Sequence, residues 1–305
     1  MDLIAMRDVS VSFGAVQALR DLTFSVKEGE IFGFLGPSGA GKTTAIKALT
    51  RQLRPDRGEI TLFGAPAARA GRGMYRDIGV MTDNSGVYER MTAEQNLQFF
   101  ARLLQVPQAR ADEVLAAVGL ADARGRKAKA LSRGMRQRLT LARVVLTKPR
   151  LLFLDEPTSA LDPATTASIH RLLRALNREG TTIFLTTHDM AEADRLCDRV
   201  AFLTDGAIRE LGAPSALKLK YAQDRMTLTT QDGQCFTCAK NAEAIAGLMA
   251  SLGGRAIRTF HSDEPGLEAV SYTHLDVYKR QSSPCPACSG RCGAAGCGAA
   301  CSFCS

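Results

Sequence analysis

The segment Gly36–Thr43, GPSGAGKT, constrains the fold of this 305-residue chain more than any other feature. It follows the apolar run IFGFL directly and is continued by AIKALTRQL, so a strand ends at the segment and a helix begins there. Its glycine, lysine and threonine positions match a phosphate-binding loop in full. Glycines let a phosphate approach the backbone, and the N–H groups of residues 38–44 would form an anion-binding concavity. A chance glycine-rich turn is the alternative, and the strand-to-helix context argues against it.

The same segment supplies the predicted contacts to a nucleotide. We expect the Lys42 ammonium to reach the β- and γ-phosphates and the Thr43 hydroxyl to ligate Mg²⁺. The predicted nucleotide-binding residues of the loop are Gly36, Pro37, Ser38, Gly39, Ala40, Gly41, Lys42, Thr43 and Thr44.

Two further apolar runs end in residues that suit hydrolysis. The run LLFL is followed directly by Asp155 and Glu156, and the run TTIFLTT is followed by His188. Asp155 would hold Mg²⁺ through its water shell, and Glu156 would polarise the attacking water as general base. An acidic pair at a strand end is usually only a solvated tip, and a single histidine is more often structural. Beside a phosphate-binding loop, at the carboxyl edge of a parallel sheet, His188 is instead placed to bond the γ-phosphate.

The remaining chain alternates between strand and helix patterns, which predicts a parallel sheet flanked by helices. Residues 1–35 contain short alternating runs typical of strands, and TAEQNLQFFARLLQ begins with a capping box of Thr92 and Gln95. Residues 223–269 form an appended unit, with strands around MTLTT, CFTCA and RAIRTF and a helix from about Ala242 to Leu252.

The stretch LSRGMRQR, Leu131 to Arg138, predicts a helix start capped by Ser132 but crowded with positive charge. Helix starts prefer nearby acidic residues, because their free N–H groups point outward. A helix start with serine, glycine and cations instead suits an external anion.

The order and spacing of these four motifs resemble an ATP-binding cassette (ABC) transporter ATPase over roughly residues 2–222. The resemblance implies an α/β P-loop NTPase with a parallel core sheet and an N-terminal antiparallel β subdomain. It also implies an ABC ATPase domain at 1–222 with an inserted helical subdomain at about 84–145. Residues 223–269 would be a small C-terminal α/β extension.

The resemblance also implies the ligands and the assembly. ATP and Mg²⁺ would be bound, and two cassettes would pack head to tail. Ser132 and Gly134 would then bind the γ-phosphate of the ATP held by the opposite subunit. Asp162, in SALDP, matches the loop that crosses the dimer interface. Phe13 matches the aromatic that stacks on adenine, with a core phenylalanine as the alternative.

Two motifs depart from the family pattern. The usual signature LSGGQ is LSRGM here, with Arg133 and Met135 as the replacements. The lid loop normally carries glutamine where IGVMTDN places Asp83. An aspartate there is shorter and anionic, and we expect it to bind Mg²⁺ or water in place of the usual lid contact.

LSRGM, TDNSGVYERMT and the unit ending SDEPGLEAV together resemble the ATPase subunits of bacterial type-two exporters, which move drugs, ions, lipids or polysaccharides. This narrower resemblance implies a second ATPase subunit, identical or different, and an integral-membrane permease on a separate chain. It places the protein at the cytoplasmic face of the cell membrane.

Composition agrees with a soluble globular subunit. Apolar residues make up 45% and charged residues 23%, and the net charge of +8 is scattered. We therefore expect no nucleic-acid partner. A non-transport cassette protein acting on ribosomes or DNA is the alternative, but such proteins usually carry two cassettes or a long coiled-coil insertion. A regulatory module without turnover is disfavoured by the presence of Lys42, Asp155, Glu156 and His188.

The last 36 residues, 270–305, predict a non-native fused tail. Residues 270–281, VSYTHLDVYKRQ, back-translate to an inverted palindrome resembling two transposon ends joined head to head. We expect the natural sequence to stop near Ala269. The six cysteines between Cys285 and Cys304 suggest zinc as an alternative, but the tail is of low complexity and has no histidine after residue 281. Cys235 and Cys238 are interpreted as ordinary apolar positions.

We predict that truncation after Ala269 leaves ATPase activity and partner binding unchanged, because the removed segment lacks the composition of a packed core. Steady-state ATPase assays and metal analysis of the full chain and the truncated chain provide the test. Loss of folding on truncation, or one zinc per chain in the tail, would show the expectation to be wrong.

Overall fold

The computed structural model describes residues 1–69, 71–82, 86–222, 224–262 and 266–267. In chain order its strands and helices are β1 (Asp2–Phe13), β2 (Val16–Lys27), β3 (Ile31–Leu35), α1 (Lys42–Leu49), β4 (Arg57–Leu62), β5 (Ala65–Pro66), β6 (Ile78–Met81), α2 (Ala93–Leu103), α3 (Ala109–Ala117), α4 (Arg133–Val144), β7 (Leu151–Asp155), α5 (Pro163–Arg178), β8 (Thr182–Thr187), α6 (Met190–Leu196), β9 (Arg199–Thr204), β10 (Ala207–Gly212), α7 (Pro214–Lys220), β11 (Arg225–Thr230), β12 (Cys235–Ala239), α8 (Ala242–Ser251) and β13 (Ile257–Ser262).

A six-stranded sheet in the order β10-β9-β3-β8-β7-β6 forms the centre of the molecule. The strands from β9 to β6 run parallel, and β10 pairs antiparallel with β9 at the edge. Every residue of β3, β7 and β8 is buried. These strands consist largely of apolar residues because both faces of a parallel sheet are covered. The predicted parallel core sheet is therefore confirmed.

The N-terminal residues form a second, antiparallel sheet in the order β2-β1-β4-β5. This confirms the antiparallel β subdomain. Five phenylalanines join the two sheets. Phe24 from β2 lies against Phe32 and Phe34 of β3 and Phe184 of β8, and Phe153 of β7 lies against Phe184. Their ring centroids are 5.5–6.1 Å apart. Aromatic pairs at such distances stabilise a core beyond the area that they bury.

Helices α2, α3 and α4 lie between β6 and β7 in the chain, as the predicted helical insertion requires. The Thr92 capping box is confirmed, since Gln95 N donates to Thr92 Oγ1 at 3.1 Å and Thr92 N donates to Gln95 Oε1 at 3.0 Å. The apolar faces of these helices share one buried cluster with α5, α6 and the other face of the sheet. The exact domain boundaries remain predictions.

The C-terminal unit is a three-stranded antiparallel sheet in the order β12-β11-β13 with helix α8. Leu228 at its centre is fully buried and lies opposite Phe236 and Phe260 on the neighbouring strands. Each strand and helix that the sequence predicted for this unit is present. The predicted fused tail lies outside the described residues. None of the described helices has the length and apolarity that a membrane-spanning helix needs.

We predict that Phe184→Ala lowers the free energy of unfolding by about 3–5 kcal/mol, because a fully buried ring is replaced by a cavity. Phe13→Ala is the matched control: Phe13 is 52% exposed, and its loss should cost within about 0.5 kcal/mol. The midpoints of urea unfolding, compared at an unchanged m-value, measure the loss of stability in both variants. Equal destabilisation by the two variants would contradict the described core.

Candidate functional site

The loop between β3 and α1 is shaped by close backbone contacts that only glycine permits. A Cβ on Gly36 would lie 2.3 Å from Leu203 O, and a Cβ on Gly41 would lie 2.6 Å from Ala18 O. Gly39 and Gly41 also adopt left-handed conformations, with φ of 82° and 109°. Gly41 caps α1, so the loop N–H groups point outward from a helix start, which is an arrangement suited to phosphate.

Lys42 lies at the centre of this loop and is only 6% exposed. Its ammonium donates to Gly36 O at 2.8 Å and Pro37 O at 3.2 Å, and lies 3.5 Å from Glu156 Oε1. The lysine therefore places a positive charge where the loop, the β7 end and a bound phosphate would meet.

Thr43 and Asp155 form an oxygen pair at the end of β7. Thr43 Oγ1 donates to Asp155 Oδ2 at 2.8 Å, and Thr186 Oγ1 donates to Asp155 Oδ1. Both oxygen types are ligands that Mg²⁺ prefers, and Mg²⁺ commonly completes its shell with water and substrate phosphates. The described residues hold no cluster of three or more acidic, histidine or cysteine ligands. The Thr43–Asp155 oxygen pair fits a magnesium ion whose other ligands are water and phosphate oxygens.

Glu156 connects the loop to His188. Its Oε1 faces the Lys42 ammonium, and its Oε2 lies 3.2 Å from His188 Nδ1. The backbone of Glu156 is left-handed, with φ of 47°, and its N–H donates to Thr186 O at 3.0 Å. Left-handed glutamates are uncommon and persist where surrounding structure holds them, frequently at active sites.

The signature segment begins α4 as predicted. Ser132 caps the helix by accepting from Met135 N at 3.2 Å. Gly134 has a packing function that the sequence did not reveal: a Cβ there would lie 3.0 Å from Thr165 Cγ2 and 3.1 Å from Thr165 Oγ1 on α5. A side chain at Gly134 would therefore require Thr165 to move by a few tenths of an ångström.

Asp162 also has an intramolecular function that was missed. Its carboxylate caps α5, accepting from Thr165 N at 2.9 Å and from Thr165 Oγ1 at 2.7 Å. The hydroxyl bond from Thr165 lowers the pKa of Asp162. The motif DPAT contained the signal, since aspartate before proline is a common helix start.

The other predicted residues have separate outcomes. Phe13 ends β1 and is 52% exposed, so the alternative that it is a core phenylalanine is wrong.

A cleft of about 330 Å³ is lined by Arg133, Arg136 and Gln137 of α4 together with Asp155 of β7. Asp83, the predicted lid residue, lies outside the described residues.

Three sequence-distant segments thus meet at the carboxyl ends of β3, β7 and β8, where open α/β sheets bind ligands. A glycine-rich loop with a buried lysine, a threonine–aspartate pair and a glutamate–histidine pair define a P-loop nucleoside triphosphatase.

The comparisons with known proteins narrow this class. Residues 19–159 match the ABC transporter family. The chain is 40% identical over 276 residues to a fluoroquinolones export ATP-binding protein of Mycobacterium tuberculosis, covering 88% of this chain and 92% of the relative. It is 36% identical over 281 residues to the daunorubicin/doxorubicin resistance ATP-binding protein of Streptomyces peucetius, covering 87% and 84%. The chain belongs to the ATP-binding subunits of ABC transporters, and it is an ATPase.

Solved structures with a similar fold are also ATP-binding subunits of ABC transporters. The ATP-binding subunit of an ABC transporter matches with a TM-score of 0.65 and 27% identity, covering 72% of this chain and 93% of that chain. A dimeric bacterial ABC transporter cassette matches with a TM-score of 0.63 and 28% identity, covering 69% and 98%.

Proposed function

We propose that this chain hydrolyses ATP, with Mg²⁺, to drive export of a drug-like or other amphipathic compound through a separate membrane permease. One observation carries the hydrolytic part: the Glu156 carboxylate lies between the Lys42 ammonium and the His188 imidazole, beside the Thr43–Asp155 pair. The export part is supported by the names of the relatives, which include drug export and drug resistance proteins.

In the proposed mechanism the loop N–H groups and Lys42 bind the β- and γ-phosphates of ATP. Thr43 and Asp155 would hold Mg²⁺, which would neutralise charge on the transferred phosphoryl group. Glu156 takes a proton from the attacking water, whose oxygen bonds to the γ-phosphorus as the bond to ADP breaks. His188 hydrogen-bonds the γ-phosphate and keeps Glu156 oriented. Phe13, exposed at the end of β1, would stack on adenine.

The site is completed by a second subunit in the proposed assembly. Ser132 Oγ accepts a bond from its own helix, which leaves the hydroxyl hydrogen free to donate to a phosphate. Gly134 exposes backbone beside it, and the first turn of α4 reads RGMR, which favours an anion. The dimeric cassette among the similar structures supports this arrangement.

We place the permease contact in a groove of about 620 Å³ between the sheet and the helical insertion. Tyr75, Leu103 and Leu104 line it and are 42–65% exposed, an apolar surface suited to a short cytoplasmic helix of the permease. Arg143 lies over the Phe100 ring at 4.9 Å and donates to Gly86 O. Gly86 also lines the cleft that contains Asp155, so occupation of the groove would act on the edge of that cleft. This contact would hold the chain at the cytoplasmic face of the membrane.

Glu156→Gln is expected to abolish turnover while ATP binding is retained, because the amide keeps the size of the side chain but cannot accept the proton. ATP-bound dimers should then accumulate. Multiple-turnover phosphate release and size-exclusion chromatography with ATP measure the two effects. Sustained turnover by the variant would refute the assignment of Glu156 as base.

A mixed dimer tests completion of the site by the partner. One subunit carries Lys42→Ala, which removes a charge-assisted phosphate contact. The other carries Gly134→Asp with Thr165→Ala, because Thr165 would otherwise contact the new side chain. Both lesions then fall on one composite site, and the other site contains only intact parts.

We expect one ATP per mixed dimer, and unchanged ATP affinity of the Gly134→Asp subunit as a dilute monomer. Hydrolysis returns above either mutant homodimer when the two sites act independently. Thr165→Ala alone is the control for the packing change. Loss of ATP binding in the dilute Gly134→Asp monomer would exclude a role for the signature on the opposite subunit.

A further inference from the structure

A buried polar cluster lies behind the catalytic edge and has no part in the mechanism above. Glu192 of α6 is only 1% exposed, and its Oε1 accepts a bond from Thr158 Oγ1 at 2.6 Å. The same oxygen lies 2.9 Å from His170 Nε2, on a ring that is 13% exposed. Glu192 Oε2 is buried without a hydrogen-bond partner among the residues that the structure describes. A buried carboxylate with an unpartnered oxygen costs stability, so stability does not explain its presence.

Each residue of this cluster lies in a segment that also carries a predicted site residue. Thr158 follows Glu156 by two positions, in the same loop. Glu192 lies in the first turn of α6, which begins two residues after His188. The residue between them, Asp189, caps the helix by accepting from Glu192 N at 3.0 Å. His170 lies on α5, the helix that Asp162 caps. One carboxylate therefore joins three segments that carry predicted site residues.

The segment that Thr158 anchors is conformationally strained. Glu156 and Ala160 have φ of 47° and 55°, the left-handed region that side chains disfavour. Such residues keep their conformation only where neighbouring contacts over-determine it. Glu156 itself contacts Lys42 and His188 and donates its N–H to Thr186 Oγ1 at 3.2 Å. After Glu156, Gln137 Nε2 of α4 donates to Pro157 O at 2.9 Å, and Thr158 Oγ1 donates to Glu192 of α6.

We propose that Glu192 is a positioning residue, which acts through Thr158 to hold the Glu156 carboxylate in line with His188. The proposal rests on the proposed function, because it takes Glu156 as the base. It assigns to the Thr158–Glu192 bond an effect on turnover rather than on nucleotide binding. Small displacements of a catalytic group are costly, at about a hundredfold in rate for 1 Å.

Thr158→Val removes the hydroxyl and keeps the shape of the side chain. We expect kcat to fall about tenfold or more, with the ATP Kd within about twofold of wild type, since Lys42 and its loop are untouched. Thr158→Ser restores the hydroxyl and should restore kcat. In a double-mutant cycle with Glu192→Leu, which removes the accepting oxygen, the double variant should lose no more than the worse single variant, because both changes break the same bond.

Thr181→Val is the matched control. It also removes a hydroxyl hydrogen bond, from Thr181 Oγ1 to Pro149 O at 3.1 Å. Thr181 lies just before the start of β8, at the end of the strand far from His188. Its kcat should equal that of wild type. Wild-type kcat in Thr158→Val would overturn the proposal. The proposal would also be overturned if Thr158→Val lost kcat, ATP binding and thermal stability together and Thr158→Ser did not restore them.

Glu156→Gln, assayed in parallel, separates this proposal from the function on which it rests. Retained turnover in Glu156→Gln refutes the base assignment whatever Thr158→Val does. An inactive Glu156→Gln with a fully active Thr158→Val refutes only the positioning role.

Discussion

The close packing of the loop after β3 against its neighbours is the constraint on which the rest of the structure depends. Gly36 and Gly41 leave no room for a side chain, because Leu203 and Ala18 carbonyls lie within 2.6 Å of the positions that a Cβ would take. The loop can approach these carbonyls because β3 lies inside the sheet, between β9 and β8. Burial of β3 on both faces therefore fixes the position of the loop that follows it. The phenylalanine core and the helices mainly keep this strand in place.

Much of this could be predicted from sequence, because the informative patterns are local. The phosphate loop, the acidic strand end and the Ser132 cap each occupy a few consecutive residues. Their chemistry follows from residue type and order, and a parallel sheet then brings the strand ends together. The three strands and the helix of the C-terminal unit were also predictable from alternation and helical periodicity.

What escaped prediction depends on contacts between distant parts of the chain. The packing of Gly134 against Thr165 requires knowledge of how α4 crosses α5. The burial of Glu192 could not be foreseen either, since an acidic residue after a helix cap usually faces solvent. The surface position of Phe13 was one of two alternatives, and only the fold decided between them. In contrast, the cap formed by Asp162 is predictable from DPAT, because aspartate before proline is a common helix start.

The contacts among Asp162, Thr165 and Gly134 have a consequence for how the two nucleotides sense each other. Thr165 donates to the Asp162 carboxylate and lies against Gly134, so it connects the proposed interface loop to the signature segment of the same subunit. In the proposed head-to-tail dimer, a bound nucleotide that moves one of these segments would also move the other. Binding at the two sites is then thermodynamically linked, and such linkage is reciprocal. A Hill coefficient different from one for ATP would be the expression of this contact in solution.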